Sequence, residues 1–477
     1  MEKDKINILE HKVFKKPTLK MPRIIVGILL LVVAALASTS YFLWQDRINI
    51  ISASDQKIRQ FYVNLADSEI GFTDSSEFVL PIDRKFEDEV ASYIARKESF
   101  IEIDLSQMKV SLYKEGGLLK TLPVLSKGRD GSWWETPTGN YKILSKEQNH
   151  FSSIGNVWMP WSMQFYGNFF IHGWPYYENG TPVSSTYSGG CVRLSTADAK
   201  EVYQFASKGM ALLLRDVEDT GTFAKPVASS QEVAPPQVSA KSFLISDLAT
   251  GETMLEKNSS NVLPVASLAK IMTGVVASEL VYLGKPIAVD ESMLAATFAT
   301  FQPVVGERYV AFDLLYPLLM QSSNQAANIL AGFTGKDQFV ANMNKKAASL
   351  SMKDTSFADP SGELSSNTSS AEDLEKLLRY TYFKRKFIFD ISKGEQDYRF
   401  SGRKLDNLTN FNELIDVNDL VGIKNGETEA AGQTLAGVWE FKSSGGKIPV
   451  GIIVLGSTDR VKDTETLLGW LKQSFNL

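Results

Sequence analysis

Residues 217–240 divide the chain into two parts, and this break constrains the fold more than any other feature of the sequence. Proline, serine, alanine and valine dominate these residues, which include Pro235-Pro236 and follow neither a helical nor a strand period. Such a composition is typical of an extended linker. The chain has 477 residues, of which 44% are hydrophobic, so a domain on each side can bury its own core. We predict domains at 97–216 and 241–477.

A run of 21 uncharged residues, Ile24 to Trp44, lies near the start of the chain. A helix of that length spans the roughly 30 Å hydrocarbon core of a bilayer. Residues 1–23 carry seven Lys/Arg and three Asp/Glu, which predicts a cytoplasmic tail and places the rest outside the cytoplasm, in the periplasm or cell wall. A cleaved signal peptide is the alternative, since Ala35-Leu36-Ala37 fits a cleavage site. The apolar run continues to Trp44, which favours a single-pass membrane anchor at 24–44.

Residues 45–96 connect the predicted anchor to the first domain as a stalk or extension, and a short amphipathic helix is predicted near their end. Of the 50 basic and 55 acidic residues, 43 and 52 lie after residue 23. With this acidic balance and no basic patch, we expect no nucleic-acid partner. The exported part offers only His150, His172 and Cys191 as nitrogen or sulfur ligands, so we expect no metal and no cofactor.

The only cysteine of the chain, Cys191, lies in Ser188-Gly189-Gly190-Cys191-Val192-Arg193, nineteen residues after His172. A single thiol forms no intrachain disulfide, so packing or chemistry must explain it. Free cysteines are often buried as small apolar residues. Here two glycines precede Cys191 and leave backbone N–H groups free to face a developing oxyanion, and His172 is the nearest candidate base. The pattern favours a thiol nucleophile.

These motifs resemble the active-site signature of the L,D-transpeptidase catalytic domain. The similarity rests on Phe169-Phe170-Ile171-His172-Gly173 and on Ser188 to Leu194, and extends to Glu102–Leu105, Thr136–Gly139 and Met159-Pro160. It implies a mostly β sandwich over 97–216 that exchanges acyl groups on peptidoglycan stem peptides through a cysteine thioester. Many members of that family have a histidine where this chain has Gly189.

The resemblance implies roles for the residues around the thiol. His172 is the expected base for Cys191, with the carbonyl of Gly173 orienting its ring. The amides of Gly190 and Cys191 are expected to stabilise the oxyanion. The expected donor is a tetrapeptide stem that loses its terminal D-Ala, and an amine of a neighbouring stem resolves the thioester. If water resolves it instead, the enzyme is an L,D-carboxypeptidase.

Two further residues of this segment are predicted to bind substrate. Ser188 begins the glycine turn, and Arg193 follows the nucleophile by two positions. The guanidinium of Arg193 either binds a stem-peptide carboxylate or ties the cysteine loop to the fold. Both roles remain open at the level of the sequence.

The second domain contains Ser267-Leu268-Ala269-Lys270 at the start of an apolar run that reaches Leu283 and stops at Gly284-Lys285-Pro286, which predicts a helix. The i, i+3 spacing places the serine hydroxyl and the lysine amine on one face. A desolvated lysine there can activate the serine. The motif alone is weak, because Ser-x-x-Lys segments also begin at residues 54, 106, 401 and 444.

The order of motifs distinguishes Ser267 from those copies. It is followed by Ser322-Ser323-Asn324 and then by Lys424-Asn425-Gly426, an ordered triplet of the penicillin-binding-protein type. Over about residues 241–477 the chain resembles the D-Ala-D-Ala carboxypeptidases of the low-molecular-mass penicillin-binding class, and Phe357 to Gly362 strengthens the match. The resemblance implies an α/β, β-lactamase-like domain with an antiparallel sheet flanked by helices.

That resemblance also implies the roles of the second site. Ser267 is the expected nucleophile and Lys270 its base. Ser322 and Asn324 are expected to relay protons and hold the substrate amide, and Lys424 is expected to meet the terminal carboxylate of the substrate. Beta-lactams are therefore expected inhibitors.

The third motif departs from the family pattern. Asn425 stands where the family has threonine, before Gly426, and Glu427 follows. An asparagine amide can still donate a hydrogen bond, but a carboxylate at Glu427 would repel an anionic substrate if it pointed inward. The second domain is therefore either a carboxypeptidase that supplies tetrapeptide to the first, or a non-catalytic module that binds the wall or senses β-lactams.

Overall fold

A computed structural model describes residues 81–216, 223–230, 233–294, 301–394 and 408–477. Within these ranges, no helix combines the length and the apolar character that a bilayer span requires. The predicted tail at 1–23 and anchor at 24–44 lie outside the described residues and stay predictions. The chain from Val79 to Leu477 forms one compact unit.

The first domain is rich in strands. In chain order, residues 81–216 contain α1 (Pro81–Ala95), β1 (Phe100–Asp104), β2 (Lys109–Lys114), β3 (Gly117–Pro123), β4 (Gly139–Lys142), β5 (Ser145–Ser152), β6 (Val157–Tyr166), β7 (Phe169–His172), β8 (Val192–Arg193), α2 (Thr196–Phe205) and β9 (Ala211–Arg215). One sheet has the order β3-β2-β1-β9-β4, and the other has the order β5-β6-β7-β8. Strands β7 and β8 are parallel, with His172 opposite Arg193. The second sheet thus brings the predicted base to the cysteine loop.

The two sheets share one core. Strand β1 is buried along its whole length, and in β2 the inward residues Val110 and Leu112 alternate with more exposed ones, as expected of a strand with one face in the core. Ile103 of β1 and Met163 of β6 belong to the same buried cluster. The β-rich first domain that the sequence predicts is confirmed.

Helix α1, which lies in the part of 45–96 predicted to be a stalk or extension, packs on the first domain. The guanidinium of Arg215 lies 5.2 Å from the centre of the Phe86 ring. The amide of Asn140 donates to the Glu89 carboxylate at 2.5 Å. Phe86 and Glu89 are three residues apart and lie on one face of the helix. The amphipathic pattern of α1 therefore reflects its packing against the sandwich.

The second domain combines one large sheet with helices. Its elements are β10 (Ser242–Asp247), β11 (Glu252–Lys257), β12 (Leu263–Pro264), α3 (Ala269–Leu280), β13 (Pro286–Ala288), β14 (Arg308–Val310), α4 (Ala311–Leu319), α5 (Asn324–Gly332), α6 (Lys336–Ser349), β15 (Thr368–Ser369), α7 (Ala371–Lys384), α8 (Phe387–Lys393), β16 (Leu420–Thr428), β17 (Gly432–Ser443), β18 (Gly446–Ser457) and α9 (Arg460–Phe475). The sheet β11-β10-β18-β17-β16 is antiparallel throughout, and α7 and α9 contact β18. The expected antiparallel sheet with flanking helices is present.

The helix predicted over 267–283 is shorter at both ends. A 3-10 turn, Ala266–Leu268, precedes α3, and α3 ends at Leu280. Val281 is extended, because the chain beyond it pairs with the first turn of α4, where the Leu283 carbonyl accepts a backbone hydrogen bond at 2.9 Å.

The two domains are packed together, whereas the sequence suggested two separate cores joined by a tether. Ile103 of the first domain and Leu268 of the second belong to one buried hydrophobic cluster. The described linker residues contact the second domain, since the Ser229 N–H donates to the Ser474 carbonyl at 2.7 Å. Apolar side chains on facing surfaces therefore join the domains, which local composition does not reveal.

Candidate active sites

Cys191 lines a cavity of about 380 Å³, and His172 lines the same cavity. The thiol is buried in a small apolar cluster with Met159 and Phe170. It donates to the backbone carbonyl of Asn168 at a sulfur–oxygen distance of 3.7 Å. The fold thus brings the predicted nucleophile and base to one cavity, while Asn168 rather than His172 accepts the thiol hydrogen bond.

The His172 ring is held by the backbone of its neighbour. Its Nδ1 lies 2.6 Å from the carbonyl oxygen of Gly173, so Nδ1 carries the proton and Nε2 is the nitrogen that can accept one. Burial lowers the pKa of His172 to about 4, and burial raises the pKa of Cys191 to about 11. At neutral pH both groups are uncharged, so proton transfer to His172 must accompany attack by the sulfur.

Gly190 occupies a position that requires glycine. Its φ is +102°, and a Cβ there would lie 2.3 Å from the Phe169 ring. Its N–H donates to the Ser188 hydroxyl at 3.1 Å, and that hydroxyl donates to the Cys191 carbonyl at 2.5 Å. The Gly190 amide is thus already engaged, contrary to the expectation that it faces an oxyanion.

Arg193 is buried beside the same cavity. One of its terminal nitrogens donates to the Ser185 carbonyl at 3.0 Å, and its guanidinium lies 5.6 Å from the centre of the Trp174 ring. Among the described residues its buried Nε has no hydrogen-bond partner. Arg193 therefore ties the cysteine loop to the fold and keeps one donor unused at the edge of the cavity.

Two parts of the cavity wall were not predicted. Trp133 and Trp134, in the loop between β3 and β4, line the cavity, and the adjacent tryptophans are a signal that could have indicated it. Residues 278–282, at the end of α3 in the second domain, also line it. No local pattern marks these residues, because domain packing alone brings them to Cys191.

Ser267 and Lys270 form a directly hydrogen-bonded pair in the second domain. The amine of Lys270 donates to the Ser267 hydroxyl at 2.9 Å, to the side-chain oxygen of Asn324 at 2.8 Å and to the carbonyl of Ser361 at 2.6 Å. Burial lowers the pKa of Lys270 to about 7, against the attraction of Asp359. A neutral fraction of this lysine is therefore available to take the serine proton.

The Ser361 carbonyl is a contact that the sequence did not assign. It is presented by a turn that Asp359 organises, since one carboxylate oxygen accepts the N–H groups of Ser361 at 2.6 Å and Gly362 at 2.8 Å. Burial raises the pKa of Asp359, but hydrogen bonds from the Ser361 hydroxyl and from the backbone N–H groups of Leu364 and Ser361 outweigh burial and hold it below its usual value. The segment from Phe357 to Gly362, which strengthened the family resemblance, thus positions the base.

Lys424 and Asn425 contact each other at the same site. The Lys424 amine donates to the Asn425 backbone carbonyl at 2.6 Å and to its side-chain oxygen at 3.2 Å. The Asn425 side-chain amide donates to the Phe411 carbonyl at 2.9 Å. Burial lowers the pKa of Lys424 well below its usual value, and the charge of Lys270 acts in the same direction. Both polar ends of Asn425 are thus engaged within the protein.

The backbone at Gly426 approaches Ser267, and the backbone at Ser322 has an unusual conformation. A Cβ on Gly426 would lie 2.7 Å from the Ser267 backbone nitrogen, so β16 passes directly against the nucleophile. Ser322 has a left-handed φ of +55°, a costly conformation that is often found at functional sites. It lies two residues before Asn324, where α5 begins.

Glu427 is paired with a cation. Its carboxylate lies 3.1 Å from Arg460, and 59% of its side chain is exposed. The same guanidinium binds Glu413 at 2.6 Å. Arg460 compensates the charge of Glu427, so the repulsion considered from the sequence does not follow from this arrangement.

Comparison with known families matches both halves. Residues 98–218 match the L,D-transpeptidase catalytic domain. Residues 229–458 match the D-alanyl-D-alanine carboxypeptidase family. The first match includes Cys191 and His172, and the second includes all three motifs around Ser267.

Curated relatives match about a third to a half of the chain. A D-alanyl-D-alanine endopeptidase of Pseudomonas aeruginosa is 35% identical over 167 residues, which cover 32% of this chain and 53% of the relative. The D-alanyl-D-alanine carboxypeptidase DacB2 of Mycobacterium tuberculosis is 30% identical over 219 residues, which cover 44% of this chain and 74% of the relative. The chain spans about half the length of the endopeptidases of Pseudomonas aeruginosa and Escherichia coli that it matches.

Two solved structures align with about half of the chain. A D-alanyl-D-alanine carboxypeptidase of Mycobacterium tuberculosis has 28% identity and a TM-score of 0.45 over 51% of this chain and 95% of that one. Penicillin-binding protein D2 of Listeria monocytogenes, in its cefotaxime-bound form, has 25% identity and a TM-score of 0.44 over 50% and 99%. On the sequence matches, the chain belongs to the D-alanyl-D-alanine carboxypeptidase family and carries an L,D-transpeptidase catalytic domain ahead of it.

Proposed function

We propose that this chain is a membrane-anchored peptidoglycan enzyme with two acyl-transfer sites, one at Cys191 and one at Ser267. The observation that carries the proposal is the Lys270 amine, which lies 2.9 Å from the Ser267 hydroxyl with a pKa lowered by burial to about 7. In a family named for cleavage at D-alanyl-D-alanine, this pair supports a serine acyl-enzyme on stem peptides.

At the first site, the Cys191 sulfur attacks the carbonyl of the third stem residue while Nε2 of His172 takes the thiol proton. The Cys191 amide stabilises the oxyanion. The peptide C–N bond then breaks, and the imidazolium gives its proton to the departing D-Ala amine. An amine of a neighbouring stem attacks the thioester and loses its proton to His172, and the proton returns to the sulfur as the new amide forms.

At the second site, Lys270 takes the hydroxyl proton of Ser267 as the oxygen attacks the carbonyl of the penultimate D-Ala. The terminal D-Ala leaves with that proton, relayed by Ser322, and Asn324 holds the substrate amide. Lys424 meets the terminal carboxylate. Water hydrolyses the ester and releases a tetrapeptide stem. This product is the donor that the first site uses, which gives a reason for the two domains to share one chain.

Muropeptide mass spectrometry tests the proposal. The parent protein should form cross-links between third stem residues from pentapeptide substrate. Cys191→Ala should abolish these cross-links from any donor, whereas Ser267→Ala should abolish them only from pentapeptide and leave tetrapeptide donors usable. Unchanged cross-linking by Cys191→Ala would contradict the assignment of the nucleophile.

Three alternatives predict different outcomes. Release of D-Ala from tetrapeptide without cross-links would make the first site an L,D-carboxypeptidase. Because relatives include endopeptidases, cleavage of existing cross-links by Ser267 would identify an endopeptidase. A parent protein that takes no fluorescent penicillin and uses both substrates equally after Ser267→Ala would have a non-catalytic second domain that binds the wall.

The membrane anchor is part of the proposal and rests on the uncharged run at 24–44 with its preceding positive charge. The mature protein should keep residues 1–23 and remain with membranes after high-salt washing. A mature N-terminus at Ser38 would instead identify a cleaved signal peptide.

A further inference from the structure

The cavity at Cys191 has walls from two domains. Trp134 and Phe169 line it from the first domain, and Leu280, Val281 and Tyr282 line it from the second. Leu280 is the last residue of α3 and Val281 and Tyr282 follow it, while the first turn of α3 carries Lys270 of the serine site. One helix therefore contributes to both sites, with its beginning at Ser267 and its end at the cavity of Cys191.

Asn168 connects this wall to the thiol. Its side-chain amide donates to the Leu280 carbonyl at 3.3 Å, and its backbone carbonyl accepts from Cys191 at 3.7 Å. Beside it, Gly167 approaches so closely that a Cβ would lie 2.1 Å from Leu280 Cδ2. The wall is thus in van der Waals contact with the turn that positions the nucleophile.

Tyr282 extends the wall at its outer edge. Its ring packs edge-on against Trp133 with centroids 5.2 Å apart, and about half of the residue is exposed. Trp133 in turn packs edge-on against Trp134 at 5.0 Å. Aromatic contacts of this kind add to the energy of area burial, so the second domain extends the aromatic edge of the cavity.

Buried charges fix α3 against the first domain. Glu279 binds Lys346 at 3.1 Å and Arg385 at 3.1 Å, and all three side chains are fully buried. The guanidinium of Arg385 also donates to the backbone carbonyl of Glu135 in the first domain at 3.0 Å. A charged side chain that left this arrangement would be buried without a partner. The ion pairs therefore hold the end of α3, and with it residues 280–282, in one position.

We propose that the serine-peptidase domain completes the substrate site of the cysteine domain, with Leu280 and Tyr282 as specificity-determining residues for the acyl donor. The chemistry of the composite cavity fits a peptide that places an aliphatic portion against Leu280 and Tyr282 and an anionic group near Arg193. This inference rests on the proposed function for its substrate, but the wall itself can be tested without turnover.

Because Cys191 is the only cysteine of the chain, thiol labelling reports on this cavity alone. The full chain should be labelled with iodoacetamide and with a bulky fluorescein maleimide, and the ratio of the two rates compared among variants. Tyr282→Ala and Leu280→Ala should raise the relative rate of the bulky reagent. Val262→Ala, an exposed apolar position of the second domain outside the cavity lining, should leave the ratio unchanged.

In transpeptidation, Tyr282→Ala should raise KM for the tetrapeptide donor about tenfold, as expected for loss of an apolar pocket contact. The change in kcat should be smaller, and penicillin labelling of Ser267 should be unchanged. Tyr282 is half exposed, so this variant keeps the test valid if Leu280→Ala fails to fold. A labelling ratio and KM that match those of Val262→Ala would overturn the proposal. An altered ratio in a protein that forms no cross-links would support the wall and contradict only the proposed reaction.

Discussion

The side-chain amide of Asn168 donates a hydrogen bond at 3.3 Å to the carbonyl of Leu280, the last residue of α3. The two residues belong to different domains. The backbone carbonyl of Asn168 also accepts a hydrogen bond from the Cys191 thiol. Positions on both sides of this contact therefore influence the cysteine site, and the packing between the domains has consequences for stability as well as chemistry.

Glu279→Gln should destabilise the protein strongly. The substitution removes the carboxylate that lies 3.1 Å from both Lys346 and Arg385 and leaves two buried cations without their partner, at a cost of about 3–5 kcal/mol. Urea unfolding gives the free energy of unfolding. Glu201→Gln is the control, because its pair with Lys120 is about 40% exposed and such surface pairs contribute about 1 kcal/mol or less. Equal losses in the two variants would contradict the role of the buried cluster.

Acylation of Ser267 by fluorescent penicillin should depend on pH through Lys270. Burial lowers the pKa of Lys270 to about 7, and the neutral amine is the proposed base. The rate should therefore rise as pH increases through about 7 and fall to about a tenth of its plateau one unit below. Lys270→Arg keeps a cation that does not lose its proton and should show no acylation at any pH. A constant rate for the parent between pH 5 and 8 would argue against lysine as the base.

Gly190→Ala and Gly189→Ala form a matched pair. A Cβ at Gly190 would lie 2.3 Å from the Phe169 ring at a φ of +102°, whereas a Cβ at Gly189 meets no atom within 4 Å. Gly190→Ala should cost about 1–3 kcal/mol in backbone strain alone and abolish cross-linking by moving the Cys191 loop. Gly189→Ala should keep both stability and cross-linking. Thermal unfolding and muropeptide analysis measure the two effects, and a tolerant Gly190 would disprove the close packing of this turn.

Asn425→Thr should increase the rate of Ser267 acylation. One N–H of the Asn425 amide donates to the Phe411 carbonyl and the amide oxygen accepts from Lys424, so only the second N–H is left for a substrate carboxylate. A threonine hydroxyl is a compact donor of the kind the family places here, and a donor helps the transition state when its geometry fits. Stopped-flow penicillin acylation measures the rate, with Glu427→Gln as a control for the exposed pair with Arg460. A lower rate for Asn425→Thr than for the parent would show that asparagine is suited to this site.

Much of both sites could be predicted from the sequence because the contacts are local or lie in ordered motifs. Ser267 and Lys270 are three residues apart, and helical or 3-10 geometry alone brings such side chains together. The Gly173 carbonyl that holds His172 is on the neighbouring residue. The charges and composition of residues 1–23 and 24–44 likewise support their prediction without any long-range contact.

Other features depended on the tertiary structure. The Gly190 amide, which was expected to face an oxyanion, donates to the Ser188 hydroxyl, and α1 packs on the first domain through Phe86 and Glu89. Side-chain rotation and the approach of distant segments decide such hydrogen bonds, and neither has a local sequence pattern.

The sequence by itself determined the two sets of chemical groups, their order along the chain and the resemblance to two families. Only the tertiary structure decided that Leu280 and Tyr282 line the cavity of Cys191 and that Glu279, Lys346 and Arg385 are buried together between the domains. The physical reason is that an i, i+3 pair is set by backbone geometry, whereas a wall shared by two domains is set by how their surfaces fit. That fit is a sum of many weak contacts between residues far apart in the chain.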